Sequence, residues 1–393
     1  MGPNNVPLMK IQDVRLYLID DQVGGKSDDW RTEATVANPM SEFEAYGEQR
    51  SSWMGPGNDP FAIEITADDG TTGIAVNSAG GPPACEVING HFRQFIEGSD
   101  AFDRRKIWEQ MYRSQLPYGQ RGVSMIALSA VDLALWDLAG NLTGQPVYNL
   151  LGGKVKSEVP CYLTAHESIL DRVSDEQFFG LKLAAPYGPA DGYAEGLART
   201  ESMVASARDA IGDERDLMLD CYMAWDKEFT VRAADRLRGY DIKWFEDALH
   251  PECVDQYADI RERVGPIQLA AGNMEFGHKA FHQLLHNGAA DILQPDLRWT
   301  GGLTEVQRIA EMAKPYGVPV VPHAPSIYSY HYAIANPNAP YAEFLGVFEG
   351  DRLTAPDTPV VGEPEPVDGY VELDDAPGFG VDLDRDRLLP YSV

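Results

Sequence analysis

From about residue 158 the chain settles into a rhythm in which short apolar runs alternate with amphipathic helical stretches, at 194–210, 228–238, 253–263 and 303–314. Strand-then-helix alternation requires parallel strands, in either a doubly wound sheet or a barrel. A polar residue closes each run. LML (217–219) ends at Asp220, IKWF (242–245) at Glu246, PIQLAAG (266–272) at Asn273, ADILQP (290–295) at Asp296 and VPVVP (318–322) at His323; YA (341–342) precedes Glu343. Successive intervals of 26, 27, 23, 27 and 20 residues each fit one strand–helix unit.

In a (β/α)₈ barrel the carboxyl ends of the strands converge on one face, where active sites form. Residues remote in sequence would then ring one pocket. Asp220, Glu246 and Asn273 on successive strands offer three oxygen ligands, a donor set suited to Mg²⁺, which keeps open positions for substrate oxygens. Asp296 and His323 on the next two strands form a carboxylate–imidazole pair, in which the acid fixes the tautomer and raises the basicity of a general base. A single aspartate at a strand end commonly caps the next helix. Five polar residues in register over five consecutive units exceed what capping requires.

The first part of the chain reads differently. Residues 11–20 and 61–76 are extended, the second with Asp69-Gly70 as a hairpin turn, and helical patterns follow at 88–97, 103–115 and 124–144. Residues 21–60 form a long polar loop, a length that usually signals function or disorder. Residues 360–393 look loop-like.

With 61 acidic against 32 basic side chains the formal charge is −29, so nucleic acid and anionic membranes are excluded as partners. No run of about 18 apolar residues offers a membrane span. The cations are 22 Arg and only 10 Lys, a balance suited to a high-salt, halophilic cytoplasm, in which carboxylates stay hydrated and salt screens their repulsion. The start, MGPNNVPLMK, has no basic-then-apolar leader pattern, and a cytoplasmic location is the expectation. Cys85, Cys161, Cys221 and Cys253 are scattered without metal-site spacing and read as reduced thiols. His278, His282 and His286 share a helical face, read as solvated. Gly301-Gly302 reads as a tight turn into a helix.

Taken together, NPMSEF (38–43), VDLALWDLAGNLTGQPVYNLLGG (131–153), IKWFEDAL (242–249), ILQPDLRWTGGLTE (292–305), VVPHAPSIYSYH (320–331), YAEFL (341–345) and GEPEPVDG (362–369) resemble the enolase superfamily, mandelate racemase subgroup, and within it the L-rhamnonate dehydratase family of acid-sugar dehydratases. The resemblance implies an α/β fold: a TIM-type (β/α) barrel over 156–345, an N-terminal α+β capping domain over 1–155, and a C-terminal tail, 346–393, packing on the cap. It implies Mg²⁺ at Asp220, Glu246 and Asn273, His323 as base with Asp296, Glu343 in the pocket, and Lys182 of LKLA near the substrate carboxylate. It places Arg50, and with it Trp30, in a lid that reads the substrate; by position, His166 after the first barrel strand and Tyr328 following the base are read as further contacts. A homo-oligomer is implied as well.

The chain departs from the rhamnonate pattern in two places. Asn273 stands where those enzymes carry Glu, keeping an oxygen donor but no charge, with Glu275 two residues on as a fallback ligand. Met274 stands where they carry His, and the early loop holds no His, so the contacts that read the sugar differ. The implied reaction takes the C2 proton of an acid sugar, expels the C3 hydroxyl and leaves a 2-keto-3-deoxy acid, His323 serving as base and then acid. A racemase or epimerase begins with the same step but needs an acid on the opposite face. Superfamily racemases often place it on a Lys-x-Lys strand end, where this chain has Ala184. A non-catalytic sugar-acid-binding barrel is the remaining alternative.

Overall fold

The computed structural model describes residues 8–20, 29–33, 35–46, 59–173 and 176–392. Near the N-terminus, β1 (Ile11–Ile19), β2 (Phe61–Ala67) and β3 (Thr72–Asn77) form an antiparallel meander. The β2–β3 hairpin turns at Asp69-Gly70, where Gly70 takes φ +88° and the Asp69 carboxylate accepts the Thr71 N–H at 2.9 Å. The long apolar helix Val123–Thr143 lies on this sheet. It approaches so closely at Gly73 that a Cβ there would stand 2.3 Å from the Ala134 carbonyl oxygen. By length and composition this helix would cross a membrane, yet 89% of its apolar window is buried inside the fold. The helix expected over 88–97 begins earlier, at Gly81, and runs through a π turn at Ile88–Phe92 to Ile96. Pro82 and Pro83 occupy its first turn, where a missing N–H costs nothing.

The second unit is a barrel. Parallel strands β4 (Val159–Ala165), β5 (Gly180–Ala184), β6 (Asp216–Asp220), β7 (Ile242–Glu246), β8 (Gln268–Ala271) and β9 (Ile292–Leu293) follow in order. Strand β10 (Ala342–Leu345) pairs back onto β4. Between β9 and β10 the sequence VPVVP contributes one bridge, Leu293 to Val320, in place of a full strand. Along each strand side chains alternate between faces, so Met218 and Asp220 share a side, as do Trp244 and Glu246. Tyr162, Met218, Trp244, Ala270, Ile292 and Val321 make a separate apolar cluster inside the barrel. The next inward layer is polar: Thr164, Lys182, Asp220, Glu246 and Glu343.

The tail does two jobs. Tyr370–Val371 pair with the first residues of β4, and Leu388–Pro390 add an edge strand to β1. Cap and barrel are locked at the turn expected before the helix Gly302–Ala313. Trp108 Nε1 donates to the Gly301 carbonyl at 2.7 Å, Trp136 Nε1 to the Thr304 hydroxyl at 2.9 Å, and the Asp132 carboxylate accepts the Thr304 N–H at 2.9 Å.

Candidate active site

Parallel pairing places the last residue of β6 beside the last residue of β7, Asp220 opposite Glu246. Both are buried. Lys182, fully buried on β5, extends its ammonium among them, 2.5 Å from Glu246 Oε1, 3.4 Å from Asp220 Oδ2 and 3.0 Å from Glu343 Oε1. The other oxygen of Glu246 accepts from Gln294 Nε2 at 2.7 Å. Glu343 lies within β10 instead of beyond it, because the pairing with β4 runs through residue 345. It accepts from the Thr164 hydroxyl at 2.6 Å and the Ala324 N–H at 2.7 Å.

Across the mouth, His323 Nδ1 and Asp296 Oδ2 are 3.0 Å apart. Asp296 also accepts the Arg298 N–H at 2.7 Å and faces its guanidinium at 3.5 Å. The Trp299 ring lies 5.6 Å from the imidazole. Asp296 is buried, whereas His323 keeps 18% of its side-chain surface open. The imidazole lines a cavity of about 1120 Å³ together with Asp220, Asn273, Met274, Arg298, Trp299 and Glu343.

These surroundings set the protonation states. Burial pushes the Asp220 carboxyl up against the pull of Lys182, and pushes Glu246 up to about 7. Burial alone would lower Lys182, but Glu246 and Glu343 outweigh it and hold the ammonium well above its ordinary value. Burial opposes charge on His323 too, yet the Asp296 hydrogen bond and charge raise the imidazole. Arg298 and His323 in turn depress Asp296 against its own burial. The pair therefore rests as a carboxylate supporting a strengthened base.

Two family models match the sequence: the mandelate racemase / muconate lactonizing enzyme N-terminal domain over residues 58–152 and the enolase C-terminal domain-like family over 165–387. The chain belongs to the enolase superfamily. Within it, an L-rhamnonate dehydratase of Saccharopolyspora erythraea is 38% identical, the match covering 98% of this chain and 99% of that protein. The crystal structure of L-rhamnonate dehydratase from Gibberella zeae superposes with a TM-score of 0.91 at 34% identity, over 98% of this chain and 97% of that one. A second structure of the Gibberella enzyme, complexed with Mg, gives 0.89 over the same shares and identity. The 3,6-anhydro-D-galactonate cycloisomerase of Zobellia galactanivorans reaches 0.76 at 28% identity, over 96% of this chain and 99% of that one.

The superfamily frame gives the polar layer a reason, and a divalent cation fits it. Among the described residues no three His, Cys, Asp or Glu side chains are arranged to hold a metal; the set here is two carboxylates and an amide. Asn273 Oδ1 is buried with no hydrogen-bond partner, which suits an oxygen ligand. All three donors are hard oxygens, the chemistry that Mg²⁺ takes. Glu275, the fallback ligand, is instead engaged from the cap by Arg121 at 3.1 Å.

Of the other expected contacts, Arg50 lies outside the described residues. Trp30 stacks on His166 at 5.7 Å and donates its Nε1–H to the Gly346 carbonyl at 3.0 Å, while His166 caps its own turn at Ser168. Neither lines the cavity; their neighbour Arg31 does. Tyr328 is engaged elsewhere. Its hydroxyl accepts the Val76 N–H at 2.8 Å and its ring packs edge-on against Phe379, so it joins cap, barrel and tail. His278 is held by Glu305 at 2.6 Å, whereas His282 and His286 stack in solvent. Sequence reasoning missed Arg298 and Trp299, although both stand in the quoted LRWTGG stretch, and missed the tail residues of 352–367 that wall the cavity.

Proposed function

We propose that this chain is an Mg²⁺-dependent acid-sugar dehydratase, a hydro-lyase converting an aldonate to a 2-keto-3-deoxy acid. The observation that carries the reading is the single His323–Asp296 base, opening on the same cavity as Asp220, Asn273 and Glu343. The relatives named L-rhamnonate dehydratase, and the Mg complex of one of them, support it.

Asp220, Glu246 and Asn273 would hold the cation, whose chemistry is to stabilise the charge that develops on a substrate carboxylate as its α-proton leaves. His323 takes the C2 proton on Nε2 while Asp296 holds Nδ1–H. The C3–O bond then breaks, the imidazolium returns its proton to the departing hydroxyl, and water is released. The enol that remains tautomerises to the ketone. Lys182 stays charged throughout and offsets the buried carboxylates. Arg298, Trp299 and Met274 line the route to the distal hydroxyls, with an apolar thioether among the polar contacts.

The test is a panel of L-rhamnonate, L-lyxonate, L-mannonate, D-xylonate, L-arabinonate and D-gluconate with Mg²⁺, assayed for 2-keto-3-deoxy acid. Dehydration predicts ketone from at least one member, abolished by His323→Asn. Deuterium uptake at C2 without ketone would assign the protein to racemisation, and a thermal shift with neither would make it a binder.

A further inference from the structure

The residue after Glu246 has no part in the reaction above, yet its backbone and side chain are both engaged. Asp247 is buried and sits at φ +40°, in the left-handed region that Asp and Asn enter more readily than other L residues. Its N–H donates to the Ala270 carbonyl at 2.9 Å, its carbonyl accepts from the Met223 N–H at 2.6 Å, and its Oδ1 accepts from the Gly272 N–H at 3.2 Å. Those partners are not scattered. Met223 lies three residues past Asp220, itself in a left-handed pair with Tyr222, and Gly272 immediately precedes Asn273. One residue thus ties together the strand ends that carry Asp220, Glu246 and Asn273. The second carboxylate oxygen, Oδ2, is buried without a hydrogen-bond partner, an arrangement that native proteins retain where something else satisfies it.

We propose that Asp247 is a positioning residue of the cation site: it fixes the three ligand-bearing strand ends as one rim, with one carboxylate oxygen on the Gly272 N–H and the other left as a buried acceptor behind the ligands. The inference rests on the reading of Asp220, Glu246 and Asn273 as cation ligands. Groups behind the ligands of a metal typically contribute 10–100-fold to its affinity.

Mn²⁺ serves as the probe, its free concentration followed by electron paramagnetic resonance during titration of the full chain. Asp247→Asn keeps the shape, tolerates the left-handed backbone and leaves one acceptor oxygen where the carboxylate has two. Asp247→Gly keeps the two main-chain bonds and removes both carboxylate oxygens, the one on the Gly272 N–H included. The expected result is Mn²⁺ binding weakened about 10–100-fold in both, with unchanged far-ultraviolet circular dichroism. Dehydratase turnover should recover as Mg²⁺ is raised, which a residue acting in the chemistry would not permit. Wild-type Mn²⁺ affinity in Asp247→Asn overturns the proposal while leaving the ligand set intact. A wild-type protein that binds no Mn²⁺ sinks the ligand reading itself, and the proposal with it.

Discussion

Replacing Asp296 by Asn isolates what the carboxylate does for the base. Wild-type Asp296 accepts from His323 at 3.0 Å and faces Arg298, so the substitution removes one negative charge, keeps the volume and leaves the guanidinium unbalanced beside the imidazole. Both changes act in one direction. An opposite charge at this range moves a pKa by about 1–3 units, so the raised His323 value should fall by about that much. Below its pKa the imidazole carries a proton and cannot accept one; the acid limb of the rate profile therefore shifts to lower pH in the variant. The variant should keep a larger share of its own maximum near pH 5.5 than the wild type keeps. The maximum itself drops, because a hydrogen bond to a charged group is worth about 1.5–3 kcal/mol, or roughly ten- to a hundredfold in rate. The assay is ketone formation across pH at saturating Mg²⁺, with C2 deuterium exchange alongside. An acid limb that stays in place while the rate falls would refute the pairing as the source of the base's strength.

Three further outcomes follow from the packing. Lys182→Met strands Glu246, Asp220 and Glu343 as buried carboxylates, costing about 3–5 kcal/mol at neutral pH; because burial raises Asp220 and Glu246, the deficit seen by urea unfolding should shrink as pH falls and those two protonate. Gly302→Ala would drive a Cβ to 2.3 Å from the Asp132 carboxylate at φ +79°, so thermal unfolding should report a loss of at least about 2 kcal/mol at the cap–barrel seam. With a net charge of −29, molar KCl should raise the melting temperature by screening self-repulsion; a flat or falling response would remove the high-salt reading.

The strand–helix alternation was legible because its period is local; the period left a doubly wound sheet and a barrel open, and the family resemblance decided between them. Each strand–helix unit declares its own strand end, and the spacing placed Asp220, Glu246, Asn273, Asp296 and His323 at or just past successive strand ends, while their roles came from the resemblance. What escaped was set by contacts that no local pattern encodes. The seventh strand dwindles to a bridge at Val320, and Glu343 moves inside β10, because strand length depends on how the neighbouring strand ends. Tyr328 looked like a pocket residue by proximity to His323, but the first turn of its helix directs it toward Val76 of the cap, 252 residues away. The tail's place in the cavity wall follows from its pairing with β4 and β1 at opposite ends of the fold. No short window of sequence carries either partner.

The same geometry bears on which of two related reactions the site can complete. Dehydration and racemisation share their first step, and they part on where the returning proton comes from. Elimination can return it from the group that took it, so one imidazole suffices. Inversion at C2 needs a donor on the other face. Lys182 is the nearest cation, but its ammonium is paired with three carboxylates, which favour keeping its proton. Two residues further along the same face, where β5 ends opposite Asp220, the chain has Ala184, which carries no proton at all. Asn273 belongs to the same balance. Asp220, Glu246, Asp247 and Glu343 already set four buried acids against one ammonium, and an amide at the third position supplies an oxygen without a fifth. The site is thus built around one mobile proton, on His323, and that is the number an elimination requires.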